Sequence, residues 1–154
     1  MNKIQSLVAY LCMNYPYESE LSKERLTKLV YLADWISALV DDKQITRIDW
    51  LFNHYGPYVD DVVESVLFNT DFSIVSEQTM YGSEKNIISF HGASSNIELT
   101  SREKQIVDAV INKTEKMYFN DFIDYVYSTY PVRSQNRYSH LDLVQLAREY
   151  KEIQ

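Results

Sequence analysis

Apolar residues recur at intervals of three and four in six stretches of the chain, which is the spacing of one face of an α-helix. The predicted helices cover about residues 4–15, 22–40, 57–67, 101–111, 119–130 and 143–150. Pro131 is expected to end the fifth helix, and Pro57 is expected in the first turn of the third, because proline fits only the start of a helix. Thr100 and Glu103 have the spacing of a capping box, so the fourth helix should begin at Ser101.

The second predicted helix has apolar side chains around nearly its whole circumference, from Leu26 to Leu39. A helix that is apolar on all sides must be surrounded by other elements, so we place it at the centre of the fold. Asp34 lies within it, where an unpaired carboxylate would be costly. The expected partner of Asp34 is therefore Lys28, Arg47 or a backbone N–H group.

Two stretches rich in β-branched and aromatic residues, 72–80 and 87–90, predict an antiparallel β-hairpin. A hairpin alone is marginally stable, so it should pack on the helices or pair with a third strand around residues 97–99. The short aromatic stretch 48–55 is expected to be extended or irregular. The predicted fold class is mainly α (α+β): a compact bundle of about six helices around a buried central helix, with one small β-hairpin, forming a single domain over residues 1–154.

Charge and composition narrow the class of function. The net charge is −7, and residues 1–100 hold 7 basic against 14 acidic side chains, which argues against a general nucleic-acid binder because phosphates are contacted mainly by Lys and Arg. The longest apolar run, 29–40, is interrupted by Asp34 and is too short to span a membrane, for which about 20 residues are needed. No secretory signal is recognisable, so we expect a cytoplasmic protein without a membrane partner.

Few residues of the sequence are candidates for catalysis. His54, His91 and His140 are scattered over three elements, the one cysteine, Cys12, has no activating motif, and three glycines are too few for a phosphate-binding loop. We therefore expect no enzyme activity, no catalytic residues, no metal and no cofactor. A hydrolase using Asp34 or His54 remains a weaker alternative.

Candidate contact residues lie in two loops. The first is a turn with two tyrosines, Tyr55, Gly56, Pro57 and Tyr58, and the second holds Arg133, Arg137 and Tyr138. Tyrosine offers a large contact area with little conformational entropy to lose, which suits a protein interface. Arg133 and Arg137, with His140, Arg148 and Lys151, also form a modest basic patch. An alternative function is therefore a nucleic-acid-binding regulator. In that case the last three helices act as a helix-turn-helix-like unit, and Arg133 and Arg137 contact phosphates.

Three segments together resemble a known family. The stretch 26–35, with Leu29, Tyr31, Asp34 and Trp35 as its structural core motif, is similar to the signature of the Panacea, or SocA-like, antitoxin domain. The Tyr-Gly-Pro turn at 55–57 resembles the turn that follows this signature, and the segments 130–134 and 137–143 are similar to the C-terminal part of family members. The resemblance covers about residues 5–150.

This resemblance implies a bacterial or phage antitoxin that neutralises a cognate toxin, encoded by the adjacent gene, by direct protein binding. A family member can also act as an adaptor that delivers its toxin to a protease. Some members carry an added DNA-binding domain, but the acidic N-terminal region predicts none here, so nucleic acid is not an expected partner. The identity of the toxin, the mode of neutralisation and the oligomeric state are not predicted.

Overall fold

The computed structural model describes residues 1–153 and is mainly helical with a small β part. The helices within this range are α1 (Lys3–Asn14), α2 (Lys23–Asp41), α3 (Asp61–Leu67), α4 (Ser101–Thr114), α5 (Phe119–Ser128), α6 (Tyr130–Ser134) and α7 (Leu143–Glu152). The strands are β1 (Trp50–Asn53), β2 (Gly56–Pro57), β3 (Phe72–Gln78), β4 (Glu84–Phe90) and β5 (His140–Leu141). The predicted fold class is confirmed, with seven helices in the described range where about six were expected.

Helix α2 lies at the centre of the fold, as its pattern predicted. The Ser22 side chain caps its N-terminus by accepting a hydrogen bond from the backbone N–H of Arg25. Thirteen of its 19 residues are buried, and it packs against α1, α3, α4, α7 and β4. The helices around it bury one face each. Their apolar stripes and the surface of α2 therefore form one continuous hydrophobic core.

The start of α4 confirms the capping-box prediction. The Thr100 side chain accepts a hydrogen bond from the backbone N–H of Glu103, and the Glu103 carboxylate accepts one from the backbone N–H of Thr100. The helix then begins at Ser101. Its N-terminus is further tied to α1, since Lys3 Nζ lies 2.8 Å from a carboxylate oxygen of Glu103.

The predicted hairpin is formed by β3 and β4, which pair in register from Phe72 opposite Phe90 to Gln78 opposite Glu84. Its base packs on the core, where the backbone N–H of Ile88 donates to the carbonyl of Leu21. Its tip projects into solvent. The third strand suggested around residues 97–99 is not formed: the chain makes a 3₁₀ turn at residues 94–96 and enters α4 without pairing.

The segment predicted as extended or irregular contains β1, the central strand of a small antiparallel sheet with the order β2-β1-β5. The expectation that Pro57 occupies the first turn of a helix was wrong, because Pro57 lies in β2 opposite Phe52. Gly56 adopts φ +97°, which reverses the chain, and the Tyr58 N–H then donates to the carbonyl of Leu51. Helix α3 begins only at Asp61. As an edge strand, β2 tolerates a proline that cannot donate to the ladder.

The expectation that Pro131 ends a helix was also inaccurate. Helix α5 ends at Ser128, and Pro131 lies in the first turn of the separate short helix α6, where its missing N–H has no intrahelical acceptor to lose. Arg133, which was expected in a loop, thus lies inside α6. The chain then returns to β1 through β5.

Candidate functional site

Asp34 fixes the segment that leads into β1. Its side chain is fully buried. Its Oδ1 accepts hydrogen bonds from the backbone N–H groups of Ile45 and Thr46, each at 2.9 Å. Its Oδ2 accepts from the Thr46 hydroxyl, from Trp50 Nε1 at 2.9 Å and from the Gln44 amide at 3.3 Å. Backbone N–H groups were among the expected partners. Lys28 and Arg47, the two expected cations, are not hydrogen-bonded to it.

These contacts are those of an ionised carboxylate, because every partner is a donor. Burial raises the pKa of Asp34, and the hydrogen bonds from Thr46, Trp50 and Ile45 act in the opposite direction. Trp50 packs edge-on against Tyr31, with ring centroids 5.5 Å apart. The core motif of α2 therefore determines where β1 lies.

The same motif reaches the end of α5. The Tyr31 hydroxyl lies 2.8 Å from Thr129 Oγ1, at the junction of α5 and α6. Leu29 is completely buried and Trp35 is 5% exposed, so both act in packing. The side chains of this motif thus hold β1 and α5 on one side of α2.

A groove of about 670 Å³ lies between α2, the β1–β2 turn and α5. Its walls are largely apolar and aromatic, and its lining residues are Glu24, Lys28, Asn53, His54, Tyr55, Tyr58, Phe119, Asn120, Ile123 and Tyr127. Tyr55 stands at the rim with 75% of its surface exposed, and Phe119 is 47% exposed. Two of the predicted contact residues, Tyr55 and Tyr58, therefore belong to this groove.

Lys28 is the cation of the groove, and sequence reasoning did not assign it there. The residue is only 2% exposed, and its Nζ lies 5.6 Å from the centroid of the Tyr58 ring. Burial lowers the pKa of Lys28 to about 8, and the negative charge of Glu24 opposes this decrease. The side chain thus presents an ammonium group that is partly stripped of water.

The second predicted contact loop meets the first one beside the groove. The Tyr138 backbone N–H donates to the carbonyl of Phe52, and the Tyr138 hydroxyl lies 3.1 Å from His54 Nδ1. The Arg137 guanidinium stacks 5.3 Å from the centroid of the Phe52 ring and lies 3.5 Å from the Tyr127 hydroxyl. Tyr138 adopts φ +70°, an uncommon conformation for a residue with a side chain. His54 and Tyr138, 84 positions apart in sequence, are thereby part of one surface.

Comparison with known proteins identifies the family. The family model of the SocA-like antitoxin, Panacea domain, matches residues 26–131, which is more than half of the chain. The chain belongs to the Panacea family. No curated protein and no solved structure matched it significantly. The matched segment includes α2 from Leu26 onwards, the β1–β2 turn and all residues that line the groove except Glu24.

The predicted basic patch is divided in the structure. Arg133 stacks on the rings of Tyr130 and Tyr150, at 5.4 and 5.9 Å from their centroids. Arg148 pairs with Asp42 at 3.0 Å. His140 likewise has an acidic neighbour, since its Nδ1 lies 3.2 Å from a carboxylate oxygen of Asp49. Of the predicted arginines, Arg137 is thus the one that joins the groove surface.

The remaining candidate groups for catalysis are dispersed over the fold. Among residues 1–153, no three His, Cys, Asp or Glu side chains are grouped so that they could hold a metal ion. Cys12 is buried, and burial raises the pKa of its thiol to about 12. Asp34 is sealed in the core, whereas His54 lines the groove. In the same described range, none of the helices combines the length and apolar character that crossing a membrane requires.

Proposed function

We propose that this protein is the antitoxin of a bacterial or phage toxin–antitoxin pair and that it neutralises its cognate toxin by binding it directly, without catalysis. Membership of the Panacea family supports this proposal. The partner is a toxin protein encoded by the adjacent gene. The observation that carries the proposal is the contact of Tyr138, from the second predicted loop, with His54, which precedes the first, beside an open, aromatic-lined groove.

The proposed contact face consists of the turn Tyr55–Tyr58, the pair Arg137–Tyr138 and the groove between them and α5. Its chemistry suits a protein partner, because Tyr and Arg are enriched among the residues that dominate binding energy at interfaces. Gly56 and Pro57 contribute by fixing the turn rather than by contact, since both are buried. Arg133 lies exposed in another aromatic cluster and is proposed as a peripheral contact.

Rescue of growth tests the proposal. The toxin is induced in bacteria together with wild-type antitoxin or with the variant Tyr55→Ala, and growth and complex formation are measured. We expect the wild type to restore growth and to copurify with the toxin, and Tyr55→Ala to weaken both. Removing an aromatic anchor at an interface typically lowers affinity by roughly tenfold or more.

The matched control is Tyr81→Ala at the tip of the hairpin, where the tyrosine is 91% exposed and lies outside the proposed face. This variant should bind as the wild type does. Equal losses from both substitutions would contradict the location of the face, and a wild type that neither rescues growth nor binds the toxin would contradict the function. Toxin levels followed by immunoblot distinguish two modes: blocking leaves the toxin level unchanged, whereas delivery to a protease lowers it.

A further inference from the structure

Lys28 is a nearly buried cation for which the protein provides no partner of its own. Among the described residues, none accepts a hydrogen bond from its ammonium group, and Glu24 influences it only through its charge. The other buried cation of α2 is different. Arg25 Nη2 donates to the Tyr15 hydroxyl and to the carbonyls of Thr114 and Met117, so Arg25 is held by the fold.

A buried ammonium group that lacks hydrogen-bond acceptors destabilises a fold. Lys28 nevertheless lines the groove, where the face of the Tyr58 ring and the charge of Glu24, which makes no hydrogen bond to it, are its favourable neighbours. The residue is almost covered by protein, and it lines a groove that is open to solvent. This arrangement is that of a binding group whose acceptor arrives with a partner.

We propose that the groove receives a carboxylate side chain, an Asp or Glu of the toxin, which forms an ion pair with Lys28 while the residues beside it pack on the aromatic rim. This inference rests on the proposed antitoxin function and specifies how the contact face recognises its partner. An ion pair formed in a groove that excludes water is strong, because both charges are then hydrogen-bonded in a low-dielectric setting.

The charge of this protein favours a partner that presents a single acidic residue over one with a broadly acidic surface. The protein has a net charge of −7, and Glu24 stands at the same groove, so a broadly acidic partner would be repelled. The positive groups here are Lys28 and Arg137, which lies 3.5 Å from the hydroxyl of the groove residue Tyr127. One carboxylate placed between them is complementary to the local charge.

The exposed aromatic residues at the edge of the groove favour a protein, rather than a small free anion, as its ligand. Tyr55 and Phe119 are exposed beside the groove, and Tyr118, which precedes Phe119 in the sequence, is 82% exposed. Aromatic side chains around a charged contact exclude water when a partner covers them, as is typical of interface centres. A free anion would leave these rings uncovered.

The test compares Lys28→Met with Lys104→Met, a control that removes the same charge from an exposed position on α4. Affinity for the purified toxin is measured by isothermal titration calorimetry, and thermal unfolding confirms that each variant is folded. We expect Lys28→Met to weaken binding by about tenfold or more and Lys104→Met to leave it within about twofold of the wild type.

A second measurement starts from the wild-type protein, so its first readout does not depend on the folding of the variant. Each exposed Asp and Glu of the toxin is changed to Asn or Gln, one at a time. One of these changes should weaken binding to the wild-type antitoxin. The same change should have little effect on the affinity for Lys28→Met, because that variant already lacks the partner of the carboxylate. If no toxin carboxylate matters, or if Lys28→Met binds normally, the groove proposal is overturned while the antitoxin function stands. Binding of phosphate or acetate that depends on Lys28, with unchanged toxin affinity, would also overturn it. If the wild type does not bind the toxin at all, the proposed function fails first.

Discussion

The buried carboxylate of Asp34 yields the most quantitative prediction about the fold. Replacing Asp34 by Ala removes the acceptor for three buried N–H donors, the backbone groups of Ile45 and Thr46 and Trp50 Nε1, and for the Thr46 hydroxyl, which can rotate towards another acceptor. A buried donor without an acceptor costs about 1–3 kcal/mol. The expected loss is therefore about 3–9 kcal/mol, which is comparable to the whole stability of an ordinary domain, about 5–15 kcal/mol.

The isosteric change Asp34→Asn should be much milder. Its carbonyl oxygen can replace Oδ1 and keep both backbone hydrogen bonds, while its NH₂ group then faces the Trp50 Nε1–H, a second donor. Two donors that face each other without an acceptor should lower the free energy of unfolding by about 1–3 kcal/mol. Replacing Trp50 by Phe as well removes that conflict, so the double variant should lose less than the sum of the single losses.

Urea unfolding followed by circular dichroism measures these differences. We expect the order of stability wild type, Asp34→Asn, Asp34→Ala, with the alanine variant largely unfolded without urea. A loss of less than about 1 kcal/mol for Asp34→Ala, or strictly additive effects of the Asp34→Asn and Trp50→Phe changes, would refute the assignment of this network.

Three further outcomes follow from the structure. Lys28→Met should raise the free energy of unfolding at pH 7 by up to about 3 kcal/mol, since lowering the Lys28 pKa from 10.5 to about 8 corresponds to about 1.4 kcal/mol per pH unit. Between these two pKa values the folded wild type binds fewer protons than the unfolded chain, so its free energy of unfolding should increase relative to that of Lys28→Met as the pH rises from 8 towards 10.5. Urea unfolding of both proteins at pH 8 and at pH 10.5 checks this. A difference between them that does not change with pH would contradict it. Gly56→Ala should lower stability by about 1–2 kcal/mol in thermal unfolding, because φ is +97° and the added Cβ would lie 3.4 Å from the Tyr127 ring; an unchanged melting temperature would argue against this turn. Arg148→Ala should leave the melting temperature nearly unchanged, since its pair with Asp42 is exposed to solvent; a large decrease would show that the pair is structural.

The elements that the sequence predicted well are those determined by local patterns. The capping box at Thr100 and Glu103 marks the start of α4 correctly because both hydrogen bonds are made within one turn of the helix. The unbroken apolar circumference of α2 likewise predicts its central place, since burial is the only favourable environment for such a surface.

The two prolines illustrate where local reasoning ends. Pro57 satisfies the requirements of a helix start and of an edge strand equally well, and its strand is decided by pairing with Phe52, a tertiary contact. Pro131 ends one helix in the sequence pattern, but in the structure it lies in the first turn of the next helix, three residues after the end of α5.

Lys28 shows a similar limit for the site. The sequence offered it as a partner for Asp34, although six residues correspond to about 600° of rotation, which places the two side chains roughly 120° apart on the helix. Helical geometry could therefore have excluded this pairing. The groove itself could not be found in this way, because α5 and the β1–β2 turn meet α2 only in the folded chain.

Direct binding between the purified protein and the purified product of the adjacent gene, the proposed toxin, tests the central claim most directly. Calorimetric titration should show saturable heat, with a dissociation constant of about one micromolar or tighter, and the two proteins should elute together from a sizing column. Rescue of growth in cells without any heat or coelution in vitro would contradict neutralisation by direct contact.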